Sequence, residues 1–175
     1  MENVYNGWFV LYVKSRFEKK VHNSLIELSL ESYLPMVNEV HNWSDRKKLV
    51  SKPLFSSYVF INIKSVTEFY KALTVDGACM FIRFGKEFAK VTSDEINTIK
   101  TLINNKEITE IQSADSSIPK IGDFAQINSG PLKGFDCVVL SVNNKNKIIV
   151  RINSLQLNIT ATVPSNYLLS DQKTA

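Results

Sequence analysis

The spacing of apolar residues changes near residue 104, and this change constrains the fold more than any other feature of the chain. Before residue 104, apolar runs typical of strands alternate with segments whose apolar residues recur at helical spacing. After residue 118 come short β-branched runs separated by Gly, Asn and Pro turns. The stretch between them is polar and has no sustained periodicity. We therefore predict two domains, residues 1–103 and 119–175, joined by a linker at residues 104–118.

The first domain is predicted to be α+β. Apolar runs predict strands at 8–13, 33–43, 48–54, 58–63 and 78–84. Helices are expected after Ser15, Ser65 and Thr92, because a glutamate follows each of these residues at the spacing of a capping box. The order strand-helix-strand, repeated and followed by a third helix, is typical of a ferredoxin-like fold, a small antiparallel sheet with helices on one face.

The second domain is predicted to be a small all-β barrel. Its four apolar runs are short and β-branched, which favours strands over helices. They lie at 124–127, 137–142, 147–152 and 157–163.

Composition narrows the function without identifying it. The 175 residues carry a net charge of +4 and are 44% hydrophobic. The longest apolar runs fall well short of the ~20 residues that span a bilayer, and the first residues lack the pattern of a signal peptide. We expect a cytoplasmic monomer without membrane contact.

Enzymatic and metal-binding motifs are missing from the sequence. Asp94 and Glu95 are expected in the first turn of a helix, where acids favour the helix dipole. His22 is expected at the surface, and both cysteines are expected to be buried as small hydrophobic residues, without a zinc-ligand spacing. We predict no catalytic residue, no metal and no cofactor.

Alternation along residues 58–63 predicts which aromatic side chains reach the open face of the sheet. The aliphatic residues of this strand should face the helices, so that Tyr58 and Phe60 point the other way. Tyr12, Phe55 and Phe81 are predicted to join them. Such an aromatic patch is typical of a protein interface or a base-stacking platform. Alternatively, the third helix or the second domain covers it.

Basic residues outnumber acidic ones between residues 14 and 52, and Arg46, Lys47 and Lys48 form a predicted hairpin tip after Trp43. A local positive field fits contact with a phosphate backbone. A solvated basic loop without a partner is the alternative.

Five motifs of this chain resemble those of the NusG family of transcription factors. Residues 8–14 and 18–21 are similar to the start of its N-terminal (NGN) domain, and residues 53–60 resemble its Pro-Leu-Phe-Pro-x-Tyr-Val-Phe motif. Gly122-Asp123 followed by residues 130–134 is similar to the KOW motif of its SH3-like second-domain barrel. Phe-Ile-Arg-Phe-Gly at 81–85 and the Trp-Ser-Asp-Arg-Lys-Lys turn at 43–48 resemble specialised RfaH-type and UpxY-type paralogues.

The resemblance implies an elongation and antitermination factor that binds the clamp helices of RNA polymerase and suppresses pausing, on particular operons such as polysaccharide clusters. The positions implied to dock on polymerase are Tyr12, Phe55, Tyr58, Phe60 and Phe81. The positions implied or expected to meet the non-template DNA strand or nascent RNA are Lys14, Arg16, Lys19, Lys20, Arg46, Lys47 and Lys48. The KOW domain is implied to recruit a ribosomal protein or a termination factor. A KOW-type RNA-binding or ribosome-associated module is the alternative.

Overall fold

The computed structural model describes residues 5–42, 47–114, 124–127, 132–134, 136–142, 145–164 and 167. The chain divides into two compact units. The first comprises residues 1–36 and 53–96, and the second comprises residues 37–52 and 97–175. The predicted boundaries of the domains and of the linker stay predictions.

The helices and strands follow one another in this order: β1 (Gly7–Val13), α1 (Glu18–Glu27), β2 (Glu31–Tyr33), β3 (Met36–Asn42), β4 (Lys47–Pro53), β5 (Tyr58–Ile63), α2 (Val66–Leu73), β6 (Ala78–Phe81), β7 (Arg83–Phe84), β8 (Glu87–Phe88), β9 (Lys90–Val91), α3 (Ser93–Asn104), β10 (Thr109–Ala114), β11 (Phe124–Gln126), β12 (Asp136–Val142), β13 (Lys145–Ile152) and β14 (Leu157–Val163). None of these described helices is long and apolar enough to cross a membrane.

The first unit is built on an antiparallel sheet in the order β2-β5-β1-β6, with β9 also paired to β1. Helix α1 connects β1 to β2, and α2 connects β5 to β6. This order is that of the ferredoxin-like fold. The predicted α+β class of the first domain is therefore confirmed.

One face of this sheet packs on the helices. Alternate residues of β1 and β5 are fully buried on that face, together with apolar residues of α1 and α2. They are Phe9, Leu11, Val13, Val59, Ile61, Ile63, Val21, Leu25, Phe69 and Ala72. The prediction that the aliphatic residues of β5 face the helices is confirmed. The intervening residues of β1 and β5 point to the opposite face of the sheet.

One of the three predicted capping boxes is complete, and a second is formed in part, because the Glu68 carboxylate accepts from the amide of Lys64. At α3, the amide of Glu95 donates to Thr92 Oγ1 at 3.2 Å, and the amide of Thr92 donates to the Glu95 carboxylate at 2.9 Å. At α2, the amide of Glu68 donates to Ser65 Oγ at 3.2 Å. These bonds satisfy amides that a helix leaves free at its first turn.

The third capping box, predicted at Ser15, is wrong. Helix α1 begins at Glu18 after Phe17, and Arg16 has a left-handed φ of 66°. This backbone turn separates Ser15 from the helix. The Glu18 carboxylate instead accepts a hydrogen bond from the amide of Ser57, 39 residues away. The Glu18 carboxylate therefore accepts a hydrogen bond from a distant loop instead of capping the first turn of its own helix.

Strands β3 and β4 form a separate two-stranded sheet. The predicted strand at 33–43 is thus split, since β2 ends at Tyr33 and β3 begins at Met36. The amide of Leu54 donates to the Pro35 carbonyl at 2.8 Å, just beyond the paired strands. The basic tip between the strands, residues 43–46, lies outside the described residues.

The second unit contains a five-stranded antiparallel sheet in the order β10-β14-β13-β12-β11. The four strands predicted between residues 124 and 163 are confirmed, in the strand rather than the helical form. Strand β10 was missed, because residues 109–114 fall in the polar stretch assigned to the linker. A barrel built from this sheet stays a prediction.

Candidate interface on the sheet

The face of the first sheet opposite the helices carries a pair of tyrosines. Tyr12 of β1 lies directly opposite Tyr58 of β5 in the strand register. Their rings are 6.1 Å apart between centroids and meet edge to face at 69°. On the other side of β1, Met80 of β6 is the register partner of Tyr12. Three adjacent strands therefore place a tyrosine or a methionine on the same face.

This part of the face is accessible to solvent. Tyr12 is 40% exposed and Met80 is 59% exposed, and Tyr58 is partly exposed. Large apolar side chains at this exposure on a sheet are typical of a docking surface. The predicted open-face positions of Tyr12 and Tyr58 agree with the structure.

The same face is buried farther along the strands. Phe60 is fully buried, and its ring centroid lies 5.8 Å from that of Phe55, which is also buried. Val10, the register partner of Phe60, is fully buried too. Phe60 thus lies on the predicted side of the sheet, but its side chain is buried where exposure was predicted. Phe55 and Phe60 pack against each other in this structure.

The prediction that Phe81 belongs to the open face is wrong. Phe81 pairs with Leu11, a residue of the helix-facing core, and its ring stacks on Phe69 of α2 at 4.0 Å. The physical reason is the register, because Tyr12 pairs with Met80 and the next residue along β6 must point to the opposite side.

Phe84 is the aromatic residue that the sequence pattern did not reveal. It is 43% exposed and lies in β7, where it is followed by Gly85 with a φ of 64°. The neighbouring Arg83 places its guanidinium 4.1 Å from the ring centroid of Phe88, a residue packed on the helix-facing core. Strand β7 pairs with β8 in a two-stranded sheet separate from that of Tyr12 and Met80, and alternation puts the Phe84 side chain on the side of β7 opposite Arg83. We call Tyr12, Tyr58, Met80 and Phe84 the accessible stripe.

A buried glutamate fixes the loop that precedes Tyr58. Glu18 accepts the Ser57 amide hydrogen bond at 2.8 Å, and the Ser57 carbonyl accepts one from the amide of Val13, also at 2.8 Å. Ser57 has a left-handed φ of 64°. The two bonds hold this conformation between α1 and the end of β1, so that Tyr58 enters β5 in a fixed position.

The predicted nucleic-acid residues near α1 form a partly organised cluster. Lys14, Arg16, Lys19 and Lys20 are all exposed. The Nζ atoms of Lys14 and Lys20 lie 5.8 and 5.1 Å from the ring centroid of Phe17. An aromatic face attracts ammonium groups at this range, and it brings two of the four cations together. We call these four residues the lysine cluster.

The hairpin cations are described less completely. Lys48 is exposed in β4. Arg46 and the side chain of Lys47 lie outside the described residues, so the predicted basic tip stays a prediction.

The structure tests three expectations about the burial of single residues, those for His22, Cys79 and Cys137. His22 is half-buried rather than at the surface, with Nδ1 2.9 Å from Ser32 Oγ, and burial lowers its pKa. Cys79 is exposed, so the prediction that it is buried was wrong. Cys137 is buried as expected, and burial followed by the nearby Asp136 charge raises the pKa of its thiol to about 11.

The described residues contain no cluster of three or more His, Cys, Asp or Glu side chains able to hold a metal ion. Glu95 lies in the first turn of α3 as expected and caps the helix through Thr92. The accessible stripe offers apolar contacts, and the lysine cluster offers electrostatic ones.

A family model described as NusG, transcription termination factor nusG, matches residues 6–100. Among solved structures, Thermotoga maritima NusG is similar with a TM-score of 0.58 and 19% identity, covering 95% of this chain and 98% of that one. Two conformations of the MjSpt4:Spt5 complex match with TM-scores of 0.34 and 0.33 at 15% and 13% identity. They cover 93% of this chain and 95% and 96% of theirs. Scores this low do not by themselves indicate a shared fold. The family match spans β1 to α3, and so includes the accessible stripe and the lysine cluster.

Proposed function

This chain belongs to the NusG family of transcription factors, and we propose that it binds RNA polymerase through the accessible stripe and promotes elongation. Members of the family are transcription factors rather than enzymes, and they work with RNA polymerase. The proposed contact is with the clamp helices, from which the protein suppresses pausing and termination. It would act in the cytoplasm as a monomer.

The observation that carries this proposal is the exposure of the accessible stripe, whose two tyrosines lie on the central strands β1 and β5. A partner helix that covers Tyr12, Met80 and Phe84 would remove three large side chains from water. Burial of apolar surface at about 25 cal/mol per Å² is the main favourable term in such an association. Aromatic residues that are held rigidly are also those that most often dominate interface energies.

The lysine cluster supports a second contact, with the non-template DNA strand or nascent RNA. Lys14, Arg16, Lys19 and Lys20 lie at the start of α1 and the turn before it. Single strands present phosphates to cations and bases to aromatic rings. Arg46, Lys47 and Lys48 are proposed to extend this contact from the hairpin.

Residues 119–175 are proposed to form a KOW barrel that recruits a ribosomal protein or a termination factor. The support is its antiparallel sheet and the KOW-like sequence at 130–134. Within that motif Leu132 is buried, and Gly134 has a φ of 91° that favours glycine. Similarity of residues 81–85 and 43–48 to specialised paralogues supports action on particular operons, such as polysaccharide clusters.

A pull-down with purified RNA polymerase tests the docking surface. We expect Tyr12→Ala and Phe84→Ala each to weaken binding about tenfold, the scale of one interface anchor. Tyr70→Ala is the matched control, since Tyr70 is a 58% exposed aromatic residue on α2, on the helix side of the sheet. Unchanged binding by both stripe variants, or an equal loss with Tyr70→Ala, would contradict the assignment. RNA binding with no affinity for polymerase would instead favour the ribosome-associated alternative.

Phe81→Ala separates a core position from an open-face position for this residue. Phe81 packs in the core, so its truncation should lower the free energy of unfolding by about 3–5 kcal/mol. Phe84→Ala should leave stability nearly unchanged. Thermal unfolding measured alongside the pull-down reports both effects, and equal stability of the two variants would argue against the stacked position of Phe81.

A further inference from the structure

An acidic side chain sits within the lysine cluster. Lys20 Nζ lies 2.7 Å from Asp76 Oδ2, and both side chains are exposed. Asp76 belongs to the turn between α2 and β6, far from Lys20 in sequence. The Asp76 carboxylate therefore binds the ammonium group of Lys20, which is one of the groups proposed to contact nucleic acid.

The backbone holds this turn against α1. The amide of Lys14 donates to the Gly77 carbonyl at 2.9 Å, and the amide of Ala78 donates to the Val75 carbonyl at 3.0 Å. Gly77 lies so close to Phe17 that an added Cβ would come within 2.6 Å of Phe17 Cδ1. Packing and backbone hydrogen bonds thus fix the turn that carries Asp76, and its short side chain reaches Lys20 from that fixed backbone.

Electrostatics keeps the carboxyl group charged. The hydrogen bond from Lys20 and the charge of Lys20 lower the pKa of Asp76, and the charge of Lys14 lowers it further. A carboxylate and a phosphate compete for the same ammonium hydrogens. The phosphate must displace Asp76 or accept an incomplete contact.

We propose that Asp76 is an internal competitor for phosphate, which weakens the contact of this surface with single-stranded DNA. The inference rests on the proposed nucleic-acid contact and adds its regulation. Lys14 then supplies the contact that is available without rearrangement, and Lys20 becomes available when the strand displaces Asp76. The surface then binds DNA transiently, as is required of a factor that moves along the template with polymerase.

Fluorescence anisotropy tests this, with the full chain and a labelled single-stranded DNA of about 12 nucleotides. Asp76→Asn keeps the shape of the side chain and removes its charge. We expect about twofold to fivefold tighter binding at about 50 mM salt, the range of an exposed ion pair. The plot of log affinity against log salt should steepen by about 0.7, because one more phosphate is neutralised.

Glu31→Gln is the matched control. Glu31 forms an exposed ion pair with Lys64 at 3.5 Å, outside the lysine cluster, and its neutralisation raises the net charge equally. Binding by Glu31→Gln should stay near that of the wild type. An equal gain in both variants would overturn the inference, because net charge alone would then explain it.

A second pair of variants identifies the cation that is released. Lys20→Ala should reduce binding less than twofold in the wild type and remove most of the gain in the Asp76→Asn background, by the logic of a double-mutant cycle. Equal losses in both backgrounds would overturn the inference. If wild-type chain binds DNA and Asp76→Asn gains nothing, only the inference fails. If neither protein binds at any salt concentration, the proposed nucleic-acid contact fails with it.

Discussion

Replacing Gly77 with alanine tests how closely the turn after α2 approaches α1. Gly77 has a φ of 96°, a conformation that a side chain disfavours. A Cβ atom built there would also lie 2.6 Å from Phe17 Cδ1 and 3.1 Å from Val21 Cγ2. The methyl group of Gly77→Ala is therefore destabilising for two reasons, the strained backbone conformation and the steric overlap with α1.

Each cost has a known scale. A Cβ at positive φ costs about 1–2 kcal/mol, and forcing a methyl group into a packed site costs about 1–3 kcal/mol more. Val21 is fully buried and Phe17 packs on the core, so neither ring nor methyl can move freely. We expect Gly77→Ala to lower the free energy of unfolding by about 2–5 kcal/mol.

Gly7→Ala provides the control, because Gly7 has a φ of 114° and a Cβ added there would meet no described heavy atom within 4 Å. It should show the backbone cost alone. Urea unfolding in a Trp43→Phe background would follow Trp8, the remaining tryptophan, which lies in β1. We expect the midpoint of Gly77→Ala to fall about 1 to 2 M below that of the parent. A loss no larger than that of Gly7→Ala would refute the close approach.

Three further predictions follow from local contacts. Thr92→Ala should cost about 1 kcal/mol in thermal unfolding by removing the acceptor of the Glu95 amide, and Thr92→Ser should restore it. Because the pKa of folded His22 lies below 6.5, the unfolded chain binds the proton more readily; stability should fall as the pH drops through 6.5, and His22→Gln should flatten that fall in urea titrations at several pH values. Iodoacetamide should alkylate exposed Cys79 in the native chain and buried Cys137 after unfolding, as peptide mass spectrometry would show; equal rates would contradict the burial.

Alternation predicted the faces of β5 correctly from the sequence, since Val59, Ile61 and Ile63 alternate in one uninterrupted strand with two aromatic residues and an asparagine. The same rule failed for Phe81. Its face depends on the pairing of β6 with β1, where the register shifts between Tyr12 and Val13. The local sequence pattern carries no information about which residues of β1 and β6 pair. Met80 and Phe84 are both an odd number of residues from Phe81, so strict alternation from Phe81 would place them on the opposite side.

Glu18 shows a second limit of sequence analysis. The spacing from Ser15 to Glu18 is that of a capping box, and the same spacing was informative at Thr92. At Glu18 a backbone amide from a distant loop competes successfully for the carboxylate. Long-range partners of this kind appear only when the chain is folded.

Strand β10 escaped prediction for a related reason. Among the described strands it pairs with β14 alone, and it contributes polar residues such as Gln112 and Ser113. A strand at the edge of a sheet is specified by backbone hydrogen bonds, and its side chains need not alternate. Polar composition therefore did not exclude a strand.

The placement of Tyr12 and Tyr58 on central strands has a consequence for the kinetics of association. β1 is hydrogen-bonded to both β5 and β6, and β5 to both β2 and β1. Tyr12 and Tyr58 therefore project from backbone that is already ordered before any partner arrives, and little conformational entropy remains to be lost there. Collision and orientation should set the association rate, and substitutions in the stripe should appear mainly as shorter residence times.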